Sequence, residues 1–181
     1  MSNPVLENIR TRRVIREMTD EPVDPHHLEQ ILEAARWSPT GGNQRPNRFV
    51  VIDDPELQRL IRLVAPGMFQ HAPILILICV DFAIFHHQLD PEDDPLYPID
   101  VGKAAQTMAL AAHSLGLSTG PVTSFNKAAV KKILNLPEQV IPCLFLCVGH
   151  KAPQTQFAMR GAQRIRWQDL CYRNRYETWD R

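Results

Sequence analysis

Apolar positions along the chain follow two periods, and the changes between them mark the elements. Val5, Leu6 and Ile9 fall on one side of a helix over residues 4–11. From Arg12 to Met18 that pattern breaks. Asp24-Pro25 predicts a helix start, since Asp accepts from first-turn N–H groups and Pro suits the first turn. Leu28, Ile31, Leu32 and Ala35 then make one apolar stripe, which should stop near Ser38-Pro39. A loop over residues 38–46 leads to a buried strand, Phe49 to Ile52. Asp54-Pro55 opens a helix with Leu57, Leu60, Ile61 and Val64 inward. Ile74 to Val80 is a continuous apolar run, suited to a central strand covered on both faces. A polar, proline-rich excursion over residues 86–98 has the composition of a lid or loop.

Residues 99–117 predict a helix that is apolar nearly all round, rich in alanine and flanked by Val101, Met108, Leu110 and Leu115. Such a helix belongs in a core or an interface, and Gly116 is a natural terminator. Ser118 to Ser124 reads as extended, Lys127 to Leu134 as a short helix and Val140 to Val148 as a strand. Strands alternating with helices give a three-layer α/β or α+β domain.

Composition narrows the function classes. The 181 residues, 44% of them hydrophobic, suit one compact domain over residues 1–181. Lys plus Arg and Asp plus Glu both total 20, so nothing pulls the whole chain toward nucleic acid or an anionic membrane. The tail from residue 150 is arginine-rich, whereas Asp81 to Pro98 holds five acids and no Lys or Arg. Cys79, Cys143, Cys147 and Cys171 form no C-x-x-C pair, and three of them lie in or beside apolar runs. With no signal-like segment and no membrane-length apolar run, cytoplasm is the expected compartment.

Three segments carry candidate chemistry. Arg12-Arg13-Val14-Ile15-Arg16 concentrates guanidiniums that can fork onto phosphate or a carbonyl edge. In Ser38 to Asn47, Gly41-Gly42 permits close backbone approach, and Asn43 and Gln44 offer amides to a heterocycle. Gly120 to Ser124 can present backbone to a ring. Taken singly, the first two read better as an ordinary solvated turn and loop, and the third is a weak signal. Together, in order and spacing with Ile-Asp-Val-Gly-Lys-Ala-Ala-Gln-Thr-Met-Ala-Leu-Ala-Ala-His-Ser-Leu-Gly-Leu, they resemble the nitroreductase-like FMN family over nearly the whole chain.

That resemblance implies an α+β three-layer sandwich with a central mixed sheet, in an intertwined homodimer with FMN at the interface. It places Arg12, Arg13, Val14 and Arg16 on the flavin from one subunit and Pro39, Thr40, Asn43 and Gln44 from the other. Pro121, Val122, Thr123 and Ser124 would lie along the ring, and Arg164 and Arg166 near the phosphate. The tail over residues 152–181, with Trp167, Tyr172, Tyr176 and Trp179, would pack on the partner subunit. The flavin carries the chemistry, so no catalytic side chain is required, and Arg16 would stabilise the reduced ring. The implied activity is an NAD(P)H oxidoreductase passing electrons in a ping-pong cycle to a nitro, quinone or enone acceptor. A flavin carrier or sensor and an oxygen-using flavin enzyme are the alternatives.

The chain departs from the pattern at Val14, where many relatives have Ser, and at Asn47, a frequent Trp position. Thr123-Ser124 replaces a Glu-Gly, and the 86–98 loop is short. Other chemistries fit less well. His86-His87 with Asp90 lacks a third metal ligand at recognisable spacing. Gly102-Lys103 lacks the upstream glycine of a phosphate loop. Ser38 and Ser124 have no histidine partner motif, and His113 on an apolar helix suits a structural role.

Overall fold

The computed structural model describes residues 3–84, 96–153 and 166–176. The excursion expected to be a lid lies largely outside them, as do Arg164, His86, His87, Asp90, Trp179 and most of the tail.

Helix α1, Pro4–Thr11, is capped by Asn3, whose side chain accepts from the Val5 and Leu6 amides. Helix α2, Pro25–Arg36, is capped by Asp24 as the Asp-Pro pair predicts. Strand β1, Asn47–Ile52, is followed by α3, Pro55–Val64, with Asp54 at its cap. Strand β2 is Ile74–Asp81, and helix α4 is Leu96–Ser114. Strand β3, Ser118–Val122, helix α5, Lys127–Ile133, and strand β4, Val140–Gly149, follow.

The sheet runs β1-β2-β4-β3. Among the described residues all three strand pairings are antiparallel, which is more uniform than the mixed sheet expected; parallel pairing there is confined to an isolated bridge, Val14 to Thr119. Strand β2 alternates between two cores. Leu75, Leu77 and Cys79 face a cluster with Ile61 of α3 and Val130 of α5. Ile76, Ile78 and Val80 face one with Ile31 of α2 and Val101, Ala105, Met108 and Ala112 of α4. Helices therefore cover both faces of the sheet, and the molecule is the expected three-layer α+β sandwich.

Helix α4 begins three residues before the position expected from sequence, because Pro98 falls in its first turn, where a missing N–H costs nothing. It ends before Gly116, whose φ of +79° lets the Leu117 amide reach back to the Ala112 carbonyl at 2.9 Å. No helix among the described residues is long and apolar enough to cross a membrane. Burial pushes the thiols of Cys79 and Cys147 up to about 12 and that of Cys143 to about 11, so these three are inert packing groups at neutral pH.

Two substitutions separate packing from backbone geometry. Leu75→Ala, at a fully buried site, is expected to cost about 2–5 kcal/mol. Gly116→Ala meets no atom within 4 Å and should lose only the left-handed backbone term, about 1 kcal/mol. Urea denaturation of both variants checks the ordering.

Candidate functional site

The arginine segment is bound to the edge of the sheet. The Ile15 amide donates to the Thr119 carbonyl at 2.9 Å, and the Thr19 amide to the His150 carbonyl at 2.9 Å. The Ala152 amide donates to the Glu17 carbonyl at 3.0 Å. Ile15 and Met18 point into the core, so the arginines are left to the other side. Gly120 is required where the two backbones meet: a Cβ there would lie 2.6 Å from the Ile15 carbonyl oxygen and 2.4 Å from Gln70 Nε2. The loop before β2 closes the same corner, with the Gly67 amide donating to the Ser124 carbonyl at 3.2 Å.

The structure thus lays the segment of Arg12, Arg13, Val14 and Arg16 along β3 at Thr119 and Gly120, the strand that holds Pro121 and Val122 and leads into Thr123 and Ser124. A cavity of about 200 Å³ opens beside them, lined by Arg12, Arg13, Ser118, Thr119, His113 and Lys151. Arg12 is half-buried, and its Nε is buried without a hydrogen-bond partner. Arg16 is exposed and makes no hydrogen bond or ion pair among the described residues. Arg13 is differently employed: its Nη1 donates to the Arg10 and Arg12 carbonyls at 2.7 and 2.9 Å, closing the end of α1. Val14 is 44% exposed, whereas Val122 is a core residue that offers only its backbone to a ligand. His113 is held by Thr11 Oγ1 at 3.0 Å from its Nε2, in keeping with a structural role.

Pro39, Thr40, Asn43 and Gln44 lie elsewhere. Their loop feeds β1, the opposite edge strand from β3. A short 3₁₀ turn, Gly41–Asn43, gives it shape, and Gly42, Asn43 and Arg45 all have φ near +55°. Left-handed backbone at non-glycine residues stores strain and marks a loop shaped for a purpose. Thr40 Oγ1 accepts from the Arg45 amide at 3.0 Å, and Gln44 Oε1 is buried with no partner.

Asp100, absent from the sequence-based candidates, anchors this loop. It is 2% exposed; its Oδ2 accepts from the Gly41 amide at 2.9 Å and its Oδ1 from Lys103 Nζ at 3.1 Å. Asn47 Nδ2 donates to its backbone carbonyl at 3.3 Å. A lone acid at the start of an otherwise apolar helix was the available signal. Gln70 was also missed; it is 1% exposed and its Oε1 lacks a partner, and nothing in its sequence context set it apart. Arg166 is exposed, and its described hydrogen bonds all go to Asp169. No group of three or more metal-ligating side chains occurs among the described residues.

Comparison with known proteins places this arrangement. The model of the Nitroreductase family matches residues 9–68 and 61–150. The chain is 34% identical over 155 residues to a putative NADH dehydrogenase/NAD(P)H nitroreductase of Methanothermobacter thermautotrophicus, covering 82% of this chain and 78% of that one. It is 31% identical over 169 residues to an FMN reductase [NAD(P)H] of Bacillus subtilis, covering 84% and 68%. Among solved structures, a nitroreductase family protein from Clostridium difficile superposes with a TM-score of 0.80 at 29% identity, covering 98% of this chain and all of that one.

The anchor is testable. Asp100→Ala strips the Gly41 amide and Lys103 of their acceptor and should cost about 1–3 kcal/mol. Asp100→Asn keeps an acceptor for the amide and should lose less. Thermal melts of both variants, with proteolysis at the 38–46 loop as a second readout, measure the difference.

Proposed function

This chain belongs to the nitroreductase family, and from that premise we propose that it is an FMN-dependent NAD(P)H oxidoreductase acting as a homodimer. The observation that carries the reading is the fixed arginine segment beside a cavity on the β3 edge. Arg12 lines it with a guanidinium nitrogen that has no partner, and Arg16, outside the lining, leaves the same backbone exposed with no described ion pair. That donor set fits a phosphate and an electron-rich ring edge, for which clustered arginine is the natural partner.

In this reading Arg12, Arg13, Val14, Arg16 and Pro121 to Ser124 hold FMN from one subunit. Arg13 would first leave the carbonyls it now caps. Arg164 and Arg166 add charge at the phosphate, and Asn43, Gln44, Pro39 and Thr40 come from the other copy. Bound there, FMN would supply the hydride and electron chemistry between NAD(P)H and a nitro, quinone or enone acceptor in alternate half-reactions. Arg16 would supply positive charge where negative charge grows on the ring. Residues 1–181 are then one domain, with residues 152–181 lying on the partner.

Two features support a second copy. The candidate halves sit on opposite edges of the sheet, about 14 Å apart across three strand spacings of about 4.8 Å. Helix α1 buries none of its residues: Val5, Leu6 and Ile9 are 64%, 65% and 50% exposed. Val5 and Ile9 border an open groove of about 680 Å³ against Leu110 of α4. Apolar surface of this kind marks an interaction site.

The purified protein is expected to be yellow, to release FMN and not FAD, and to scatter light as a dimer. Anaerobic NADH or NADPH should bleach the flavin band within seconds. A colourless monomer that ignores added FMN would overturn the reading, and a yellow protein that neither nucleotide bleaches would make it a carrier.

The arginines should fail in different ways. Arg16→Ala should weaken the reduced state more than the oxidised one and lower the midpoint potential, by about 30 mV for each 1.4 kcal/mol of differential loss. Arg166→Ala should weaken FMN binding by about 1.5–3 kcal/mol with little change in potential, because the phosphate is the same in both redox states. Redox titration and FMN affinity of the two variants decide the assignment.

A further inference from the structure

A cavity of about 520 Å³ opens at the end of the sheet where β1 stops and β2 starts. Its lining comes from the segment ahead of α2, from α3 and its approach, and from the chain entering β2. Each of these is held in place. Gln58, 6% exposed, donates from Nε2 to the Ile52 carbonyl at 3.1 Å and to the Pro73 carbonyl at 2.9 Å, so α3 is tied to both strands. Its Oε1 accepts from Arg62 Nη2 at 3.3 Å. The Thr19 amide is bonded to the His150 carbonyl, and Val23 is buried in the same cluster as Ile74, which fixes the backbone on either side of Asp20.

The charges on this lining do not cancel one another. Asp20 and Asp53 are exposed and make no hydrogen bond or ion pair among the described residues, whereas the neighbouring Asp54 is taken by the Leu57 amide at the start of α3. Arg62 is half-buried; its side chain donates to the neutral Gln58 and has no described ion pair. No Arg62 nitrogen therefore lies within 4.0 Å of either carboxylate. From Pro55 to Arg62 the helix rises about 10 Å, so Asp53 and Arg62 stand at its two ends. Opposite charges held apart on one lining suit a ligand whose own charges are held apart, because each then meets a partner in a charge-assisted hydrogen bond. Two acids against one guanidinium call for two cationic groups and one anionic group. Pro22, Pro55 and Pro73 give the rest of the lining an apolar surface that water leaves unused and a hydrocarbon chain covers. The volume is that of a small-molecule pocket.

We propose that this cavity binds a dibasic α-amino acid. The carboxylate meets Arg62, and the two ammonium groups meet Asp20 and Asp53. Asp53 takes the side-chain ammonium, since it stands at the far end of α3 from Arg62, and Asp20 takes the α-ammonium. The methylene chain lies along the three prolines. None of the lining residues belongs to the segments assigned to flavin, so the site does not depend on that reading.

Isothermal titration of the full-length protein with L-lysine tests the assignment. L-norleucine, which lacks the side-chain ammonium, and cadaverine, which lacks the carboxylate, are the partial probes. One saturable site per chain is expected for lysine, with each partial probe at least about tenfold weaker, the size of one lost hydrogen bond between charged groups. The variants should separate the contacts. Arg62→Gln should weaken lysine and norleucine and leave cadaverine unchanged. Asp53→Asn should weaken lysine and cadaverine and leave norleucine unchanged, and Asp20→Asn should weaken all three. A variant that merely misfolds loses every probe, so the probe-selective losses of Arg62→Gln and Asp53→Asn exclude that cause. No saturable heat with lysine, equal binding of the three probes, or an Arg62→Gln change that weakens cadaverine as much as lysine would each overturn the proposal. Lysine should bind with the same affinity with and without added FMN, so a protein that ignores flavin would still show this site.

Discussion

Everything in this molecule is arranged around one strand that water does not reach. Residues Ile74 to Val80 are all buried, and their side chains alternate between two separate cores. A strand buried on both faces needs hydrogen-bonding neighbours on both sides and a helical layer above and below. Once β1 and β4 flank β2 and β3 is added beyond β4, the edges of the sheet are fixed as β1 and β3. Each edge receives a polar loop: residues 38–46 lead into one, and Thr123-Ser124 leave the other. The separation of the two candidate half-sites is thus a consequence of burying seven consecutive residues.

The β3 edge has a second constraint. Residues 15–19 carry no helix and give only Ile15 and Met18 to the core, yet their backbone is tied to β3 and to the residues after β4 by hydrogen bonds of 2.9–3.0 Å. Gly120 makes this possible by leaving room for the Ile15 carbonyl. Arg12 and Arg16 consequently leave from a backbone already held in place. A backbone held in advance leaves only the side chains to reorganise when an anion arrives, which lowers the cost of binding.

The layers were legible because local chemistry and periodicity agreed. Asp24-Pro25 and Asp54-Pro55 start helices where the structure starts them, and the run from Ile74 is the central strand. Pairing was not legible: hydrophobic patterning assigns faces, not neighbours, so the antiparallel order could not be read from it. The start of α4 was hidden by Pro98, a residue that suits both a loop and a first turn. At the candidate site, residue order singled out the arginine segment that the structure ties to the β3 edge, but not that Arg13 closes α1 or that Asp100 grips Gly41. Those are contacts between residues 3 and 59 positions apart, made by side-chain reach in one case and by tertiary packing in the other.

The placement of half-sites on opposite edges has a genetic consequence. In a dimer whose two sites each draw one half from each chain, damage to one half of a subunit spoils only the site that half serves. A chain altered at Arg16 and another altered at Asn43, each inactive as a homodimer, would form a mixed dimer in which one site collects both defects and the other collects none. Two defective alleles would then complement each other within a single protein. Two alleles damaged in the same half would not, and the pattern of complementing pairs would map which residues meet across the interface.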